Sequence, residues 1–445
     1  MRQMRQIVVV GGGFAGTTLA RALQHRLPAG WSVVLVSEES YTTFNPMLAE
    51  VVGASVFPEH VVAPIRQMLA PDGACRFVMG RVIAIDRAAR TVRAETLAGV
   101  QAIGYDHLVL AFGTRANLAL LPGSAEHALP LKLVGDALNI RNRVLQRLAR
   151  IELEHDAALR RRLGHFVVIG GGFSGVELAG ELADVLKSAR RWYPRVQAHE
   201  PRVTLLHDGM QLLPELPASL GAAAAASLRA RGVDVRLGAK ARAVRADGVD
   251  LSDGGALDSA TVICTIGTRP NPLVEQLGRE GLPLERGRLK VLPDLAVAGA
   301  PGEPGGPGER GLWALGDCAL VPNAAGGGLS PPTAQFAVAQ AQLLAHNLVE
   351  AIAGRPTRAF AHRSRGLMAT TGHLKGVALI GRLRLAGLPA WLLWRAFYLL
   401  RMPTLGRKLR LWVEWTWAMV FAADITHLRF TGTHEVDAPR APALP

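Results

Sequence analysis

The chain has 445 residues, 50 Lys and Arg against 36 Asp and Glu, a formal charge of +14, and is 49 % hydrophobic with 48 Gly and 27 Pro. That fits two or three globular α/β domains, and the basic excess points to an anionic partner: a membrane surface or anionic cofactors. No nucleic-acid motif accompanies the charge. The three cysteines, Cys75, Cys264 and Cys318, are far apart and form no CxxC, which argues against a redox disulfide, a zinc site or any other metal site; each reads as a small hydrophobe, with Cys75 partly exposed in the loop-like PDGACRF.

Residues 7–38 read as strand, glycine turn, helix and second strand. The β-branched run IVVV leads into GGGFAG, so that GxGxxG stands between a strand and a helix, the arrangement that holds a dinucleotide pyrophosphate on free helix N–H groups. A loop, YTTFNPMLAEVVGAS, follows. Alternation over 76–95 predicts strands, YDHLVLA at 105–111 a buried strand ending in FGT, and 135–164 a helix after the linker-like LPGSAEHALPLKLV. Then FVVI at 166–169 enters IGGGFSGVELAGEL, a near copy of the N-terminal VGGGFAGTTLARAL. Further strands are expected at 202–206, 233–237 and 261–265, a projecting loop at PGEPGGPGE (301–309), a strand and turn at GLWALGDCA (311–319) and a helix over 333–354.

The repeat is explained if one Rossmann-like unit is inserted into another and each holds its own dinucleotide. The fold class expected is α/β, two nested Rossmann-like domains followed by a C-terminal amphipathic helical membrane-binding region. The first domain would comprise 1–122 and 277–355, the second 123–276, the C-terminal region 356–433, and a disordered tail 434–445. No signal peptide precedes the strand at residue 7, so a cytoplasmic setting is the default.

A carboxylate at the end of the second strand takes the ribose hydroxyls in such units. Glu38 stands there in the first unit, next to Glu39; His207 and Asp208 stand there in the second. No arginine follows Asp208 to meet a 2′-phosphate, which favours NADH over NADPH.

Taken with these turns, FNPML, YDHLVLAFGT, TIGTRPNP, ERGRLKVLPDL, LWALGDCALVPN and PPTAQFAVAQAQLLAHNL give a chain that, over residues 7 to 430, resembles the type II NADH:quinone oxidoreductases of the two-dinucleotide-binding-domain flavoprotein superfamily. The resemblance implies FAD and NADH as cofactors and a quinone as substrate. Gly11, Gly13 and Gly16 would hold the FAD pyrophosphate, with Gly12, Phe14 and Ala15 in the same turn; Glu38 would take the adenosine ribose and Asp317, after Gly316, the ribityl side. Asn45 and Pro46 would flank the isoalloxazine, with Ala111, Gly113 and Ala334 also on the flavin. Gly170, Gly172 and Gly175 would hold the NADH pyrophosphate, with Asp208 and Gly267 in that site. Glu177 would lie near the nicotinamide, either handling hydride or protons or serving as a helix-dipole partner. Gln335 would meet the quinone, with Gln340 and Lys375 as further candidates at its mouth. The sequence departs from the family in having His207 where a Glu is common, and in leaving only Gln340 of a Gln pair found after AQ in many members.

Residues 381–410 carry seven Arg and Lys and no acid, and LWVEWTWAMVFAA follows. Arg395 and Arg401 interrupt the first apolar stretch and Glu414 the second, so neither reads as a membrane span. Amphipathic helices with Trp and flanking Arg suit a membrane interface; Trp391, Trp394, Arg395, Arg401, Arg407, Lys408, Trp412 and Trp415 are the candidate lipid-facing residues. Anionic lipid, a quinone and a second copy of the chain are thus the expected partners, and the cytoplasmic face of the cell membrane the expected place, held peripherally. The rivals are a membrane-associated NADH-binding sensor or scaffold and a related flavin reductase with another acceptor; a sulfide:quinone reductase lacks its cysteine pair here.

Overall fold

The computed structural model describes residues 4–70, 74–299 and 311–428; the loop expected at 301–309 and the tail at 434–445 lie outside them. The main elements, in chain order, begin with β1 (Arg5–Val10), α1 (Phe14–Leu23), β2 (Trp31–Ser37), α2 (Leu48–Val52), β3 (Cys75–Asp86), β4 (Thr91–Thr96), β5 (Gly99–Gly104) and β6 (His107–Leu110). There follow β7 (Ala128–Pro130), α3 (Val134–Leu153), α4 (Ala157–Leu163), β8 (His165–Ile169), α5 (Phe173–Arg190), β9 (Arg202–Leu206), β10 (Asp234–Arg236), β11 (Thr261–Cys264) and α6 (Pro272–Arg279). The chain continues through β12 (Leu312–Ala314), α7 (Ala334–Ile352), β13 (Leu367–Thr370), β14 (Gly376–Ile380), β15 (Leu383–Ala386), α8 (Leu388–Arg401) and α9 (Leu405–Val420).

Two parallel sheets carry the glycine turns. The first runs β12-β6-β1-β2-β3-β4-β5, parallel from β12 to β3 and antiparallel beyond; the second runs β7-β11-β8-β9-β10, parallel throughout. β1 and β8 lie inside their sheets, and their Val- and Ile-rich runs are covered on both faces, which is why they read as continuous apolar runs rather than alternating ones. In each sheet the turn leaves the carboxyl end of a strand with neighbours on both sides, where open α/β sheets bind ligands.

The expected helix over 135–164 is broken. Asp156 accepts a hydrogen bond from Ala158 N at 2.8 Å and so caps a new helix, α4, after α3 has ended. The stretch read as a loop after β2 holds the short helix α2, fully buried and packed on α3 and α5. The boundary expected at 276 falls inside α6, whose Val274 and Leu277 belong to the core of the first sheet. Cys75 is buried at the start of β3 rather than partly exposed. The C-terminal β13-β14-β15 hairpins pack on α5 and α8, and no helix among the described residues is long and apolar enough to cross a membrane.

Candidate active site

Both glycine turns are closed by the same kind of contact. Gly11 has φ +117°, and a Cβ there would stand 2.2 Å from Ala111 O; Gly170 has φ +120°, and its Cβ would stand 2.6 Å from Thr265 Oγ1. A Cβ on Gly16 would lie 1.9 Å from Gly11 O, and one on Gly175 1.8 Å from Gly170 O. Helix and strand therefore approach as only glycine permits. By contrast, nothing stands within 4 Å of a Cβ built on Gly13 or Gly172: the middle glycine of each turn faces open space. Neither α1 nor α5 has a side-chain cap or an acid in its first turn, which leaves the N–H groups of the helix start to a ligand.

A cavity of about 870 Å³ opens from the first turn. Gly11, Gly12, Gly13, Phe14 and Ala15 line it, as do Asn45 and Pro46, Ala111 and Gly113, Gly316 and Asp317, and Ala334 and Gln335. From the other unit Phe173, Ser174 and Glu177 reach it, and from the C-terminal region Met368, Phe397, Tyr398 and Arg401. Thr42 Oγ1, buried in the same wall, has no hydrogen-bond partner among the described residues. An open glycine turn, an orphaned hydroxyl and a cavity of this size together fit a flavin dinucleotide. Burial raises the Asp317 carboxyl above its usual range, against the opposing pull of Lys132 and Arg288. Glu38 follows β2, outside the cavity lining, and is paired with Arg115 at 3.2 Å.

The second turn meets this cavity only through Phe173 and Ser174. Gly170, Gly172, Gly175, Asp208 and Gly267 are not in its lining. Gly171 N donates to His207 Nδ1 at 3.3 Å, so the His207 ring packs under the turn with Nδ1 as acceptor, while Asp208 extends into solvent. α5 thus begins at the second turn and presents Glu177 to the first cavity.

Glu177 is only 6 % exposed and accepts from Thr370 N at 3.1 Å. It lies beyond the first turn of α5 and is no helix-dipole partner. Burial pushes its carboxyl up to about 8, and Glu50 adds to the rise. Glu50, on α2, is pushed up to about 7 by burial, and Glu181, on α5, well above the usual range for the same reason. Glu50 accepts from Trp415 Nε1 at 3.1 Å and faces Arg395 Nη2 at 3.7 Å; Ser55 Oγ donates to Glu181 Oε2 at 3.3 Å. Tyr398 is also raised by burial, then by Glu177. Glu50, Glu181, Thr42 and Tyr398 are absent from the sequence-based candidates. Glu50 sits in the stretch read as a loop, and Tyr398 is the one phenol inside the Arg/Trp-rich tail.

Several expected residues lie elsewhere. Gln340 is buried behind the cavity, where its Oε1 accepts from Gly316 N at 2.8 Å and fixes the turn before Asp317. Lys375 is exposed at the tip of the β13–β14 hairpin and outside the cavity lining. Trp391, Trp394 and Trp415 are buried against the body, not lipid-facing. Arg395 is buried between the rings of Trp391 and Trp415, at 3.8 and 4.9 Å. Arg401, Arg407, Lys408 and Trp412 remain accessible, Arg407 bonded to Glu59 O. All three cysteines are buried and unpaired, so the site holds no disulfide.

The raised carboxyls give the fold a pH dependence. A glutamate with a folded-state pKa above its unfolded value of 4.5 contributes stability that is whole below 4.5 and is lost as pH rises through about 7 for Glu50 and about 8 for Glu177. His107 and His165, lowered by burial to about 4 from 6.5, act in the opposite sense between those pH values. The clean window is therefore pH 6.5–8. The melting temperature is expected to fall across it, and Glu177→Gln to flatten that fall, as circular dichroism melts at stepped pH would show.

Residues 5–341 match the family model of the pyridine nucleotide-disulphide oxidoreductases. The type II NADH:quinone oxidoreductase Ndh of Mycobacterium tuberculosis is 29 % identical over 92 % of this chain and 87 % of its own. The internal alternative NAD(P)H-ubiquinone oxidoreductase A1 of Solanum tuberosum mitochondria is 28 % identical over 96 % of this chain and 88 % of its own. The solved structure of NDH2 from Plasmodium falciparum in complex with NADH superposes with a TM-score of 0.86, at 17 % identity, covering 95 % of this chain and all of that one, a likeness of fold.

Proposed function

Since the chain belongs to the pyridine nucleotide-disulphide oxidoreductase family, we propose that it is a flavin-dependent type II NADH:quinone oxidoreductase that pumps no protons. The observation that carries the reading is the joining of the two units at one cavity: α5 starts at the second glycine turn and ends the first unit's cavity with Glu177. With its cysteines buried and apart, the chain has no thiol pair for disulfide chemistry. Its relatives named above act on quinones.

FAD, when bound, supplies a two-electron acceptor that both NADH and a quinone can approach. The chain's own residues do the rest. The first turn holds the FAD pyrophosphate on N–H groups around Gly13, with Gly11 and Gly16 closing the turn, Glu38 at the adenosine ribose, Asp317 at the ribityl side, and Asn45 and Pro46 beside the ring. Gly170, Gly172 and Gly175 hold NADH in the same way, with Asp208 at its ribose. Gln335 Oε1 accepts from Ser364 Oγ at 3.2 Å and Arg365 N at 3.4 Å, which leaves its amide NH₂ to donate to a quinone carbonyl. Glu177, carrying a proton near neutral pH, gives it to the quinone oxygen that becomes hydroxyl.

The protein docks peripherally on the cytoplasmic face of the membrane, its exposed Leu405, Leu409, Trp412, Val413 and Trp417 in the interface and Arg401 and Lys408 toward anionic headgroups. A second copy of the chain is the other partner proposed for the C-terminal region. Anaerobic stopped-flow tests the reading. NADH should bleach the flavin of the lipid-reconstituted protein, and a ubiquinone or menaquinone analogue should restore its colour. Bleaching that no quinone reverses would overturn it. Glu177→Gln should leave the reoxidation step slower by about 10²-fold and its pH profile flat between 6 and 9.

A further inference from the structure

Reduction of a quinone by NADH takes up one proton from solvent, since the hydride brings two electrons and one proton and the quinol needs two of each. Glu177 lies inside the cavity wall at 6 % exposure, so that proton needs a way in. Behind it the described residues place three buried carboxyls against one buried guanidinium: Glu177 and Glu181 on α5, Glu50 on α2, and Arg395 on α8. One cation does not balance three carboxylates in a dry interior, so the cluster must hold protons.

On the side of α9 the cluster is covered by a single side chain, the buried indole of Trp415. Trp415 donates to Glu50, and the residue before it, Glu414, turns the other way, accepting from Phe57 N and pairing with His60 Nδ1. The His60 side chain is 20 % exposed and that of Glu414 11 %, so the pair stands between solvent and the buried cluster. Glu59 flanks Glu414, and Glu414 in turn acts on Glu50. Glu50 is also faced by Arg395; Glu177 by Tyr398; Glu181 by Asp184 and Arg395; and Arg395 lies near His373.

Resting on the proposed function, we propose that the His60–Glu414 pair is the port for the solvent proton of each turnover, which passes by way of Glu50 to Glu177 and on to the quinone oxygen. Each transfer moves one proton from a donor to an acceptor, directly between His60 and Glu414 and by way of water between the carboxyls, and each group is reprotonated by the one behind it. No electron moves on this route. Arg395 is a positioning residue: clamped between Trp391 and Trp415, it holds the Glu50 carboxylate on the α9 side of the cluster. Glu414 is the α9 half of the port, so the segment that docks on the membrane also completes the proton path.

Two readouts test it, one independent of turnover. In the first, the infrared band of protonated buried carboxyl groups is followed after rapid mixing into D₂O. Glu50→Gln and Glu177→Gln assign the band. His60→Ala and Glu414→Gln should slow its exchange by about tenfold or more, and imidazole should restore the rate in His60→Ala alone. In the second, quinone-driven reoxidation in those two variants should slow in parallel and show a larger solvent isotope effect. Glu414→Gln keeps the bond to Phe57 N and guards against misfolding. Exchange at the wild-type rate in both variants overturns the port, as does slow exchange in His60→Ala that imidazole leaves slow. A wild-type protein that no quinone reoxidises refutes the reductase reading instead, while the exchange measurement still judges the port.

Discussion

Gly16→Val is expected to purify colourless, and Gly175→Val yellow but no longer bleached by NADH. The two substitutions are chemically the same and differ only in which turn they close. At Gly16 the new Cβ would stand 1.9 Å from Gly11 O, and at Gly175 1.8 Å from Gly170 O. Both obstacles are backbone carbonyls inside buried turns, so no flexible side chain can yield. The first turn of the helix must instead tilt away from its strand, which removes the N–H groups from the position of a pyrophosphate. Overpacking of this kind costs about 1–3 kcal/mol or more, and at about 1.4 kcal/mol per tenfold a displaced anion site loses some two orders of magnitude in affinity. A flavin absorbance spectrum and an NADH stopped-flow trace on each variant separate the two sites. A yellow Gly16→Val protein, or a colourless Gly175→Val one, would reverse the assignment of the turns.

These turns were legible in the sequence because everything they require is local. A β-branched run, three glycines at fixed spacing and a helical pattern specify strand, turn and helix without help from distant residues. The rest of the site was legible only as far as its order along the chain. Gln335 does line the cavity, but Gln340, five positions on, is rotated well away from it on a helix of 3.6 residues per turn, toward Gly316. The short helix α2 was hidden because five residues are too few to show a helical period. Glu50 and Glu181 are not legible as site residues because a carboxylate in sequence reads as solvated, and only the packing of α2, α5, α8 and α9 makes one a buried acid.

The Arg/Trp-rich tail shows the same limit, and it supports the second large expectation. The tryptophans announced an amphipathic segment, but two of its faces are apolar. Trp391, Trp394 and Trp415 close the core below, while Trp412 and Trp417 are 56 % and 61 % exposed. Trp415→Ala is expected to cost about 3–5 kcal/mol of stability, since it empties a buried site. It also removes the Nε1 bond to Glu50 and one ring over Arg395, leaving a charge pair without its cover. The double variant Trp412→Ala, Trp417→Ala should melt as the parent does but bind anionic vesicles about twentyfold to several hundredfold more weakly, at about 1.5–3 kcal/mol for each large apolar side chain fully withdrawn from water, scaled to the exposed part of each indole. Calorimetry and vesicle cosedimentation read the two effects separately. Salt sharpens the distinction. Raising it should weaken the attraction of Arg401 and Lys408 to anionic headgroups, while the deficit from the lost indoles should persist when those charges are screened. A double variant that melts lower and still binds vesicles would mean that this face is covered by protein, and a second copy of the chain would then be its occupant.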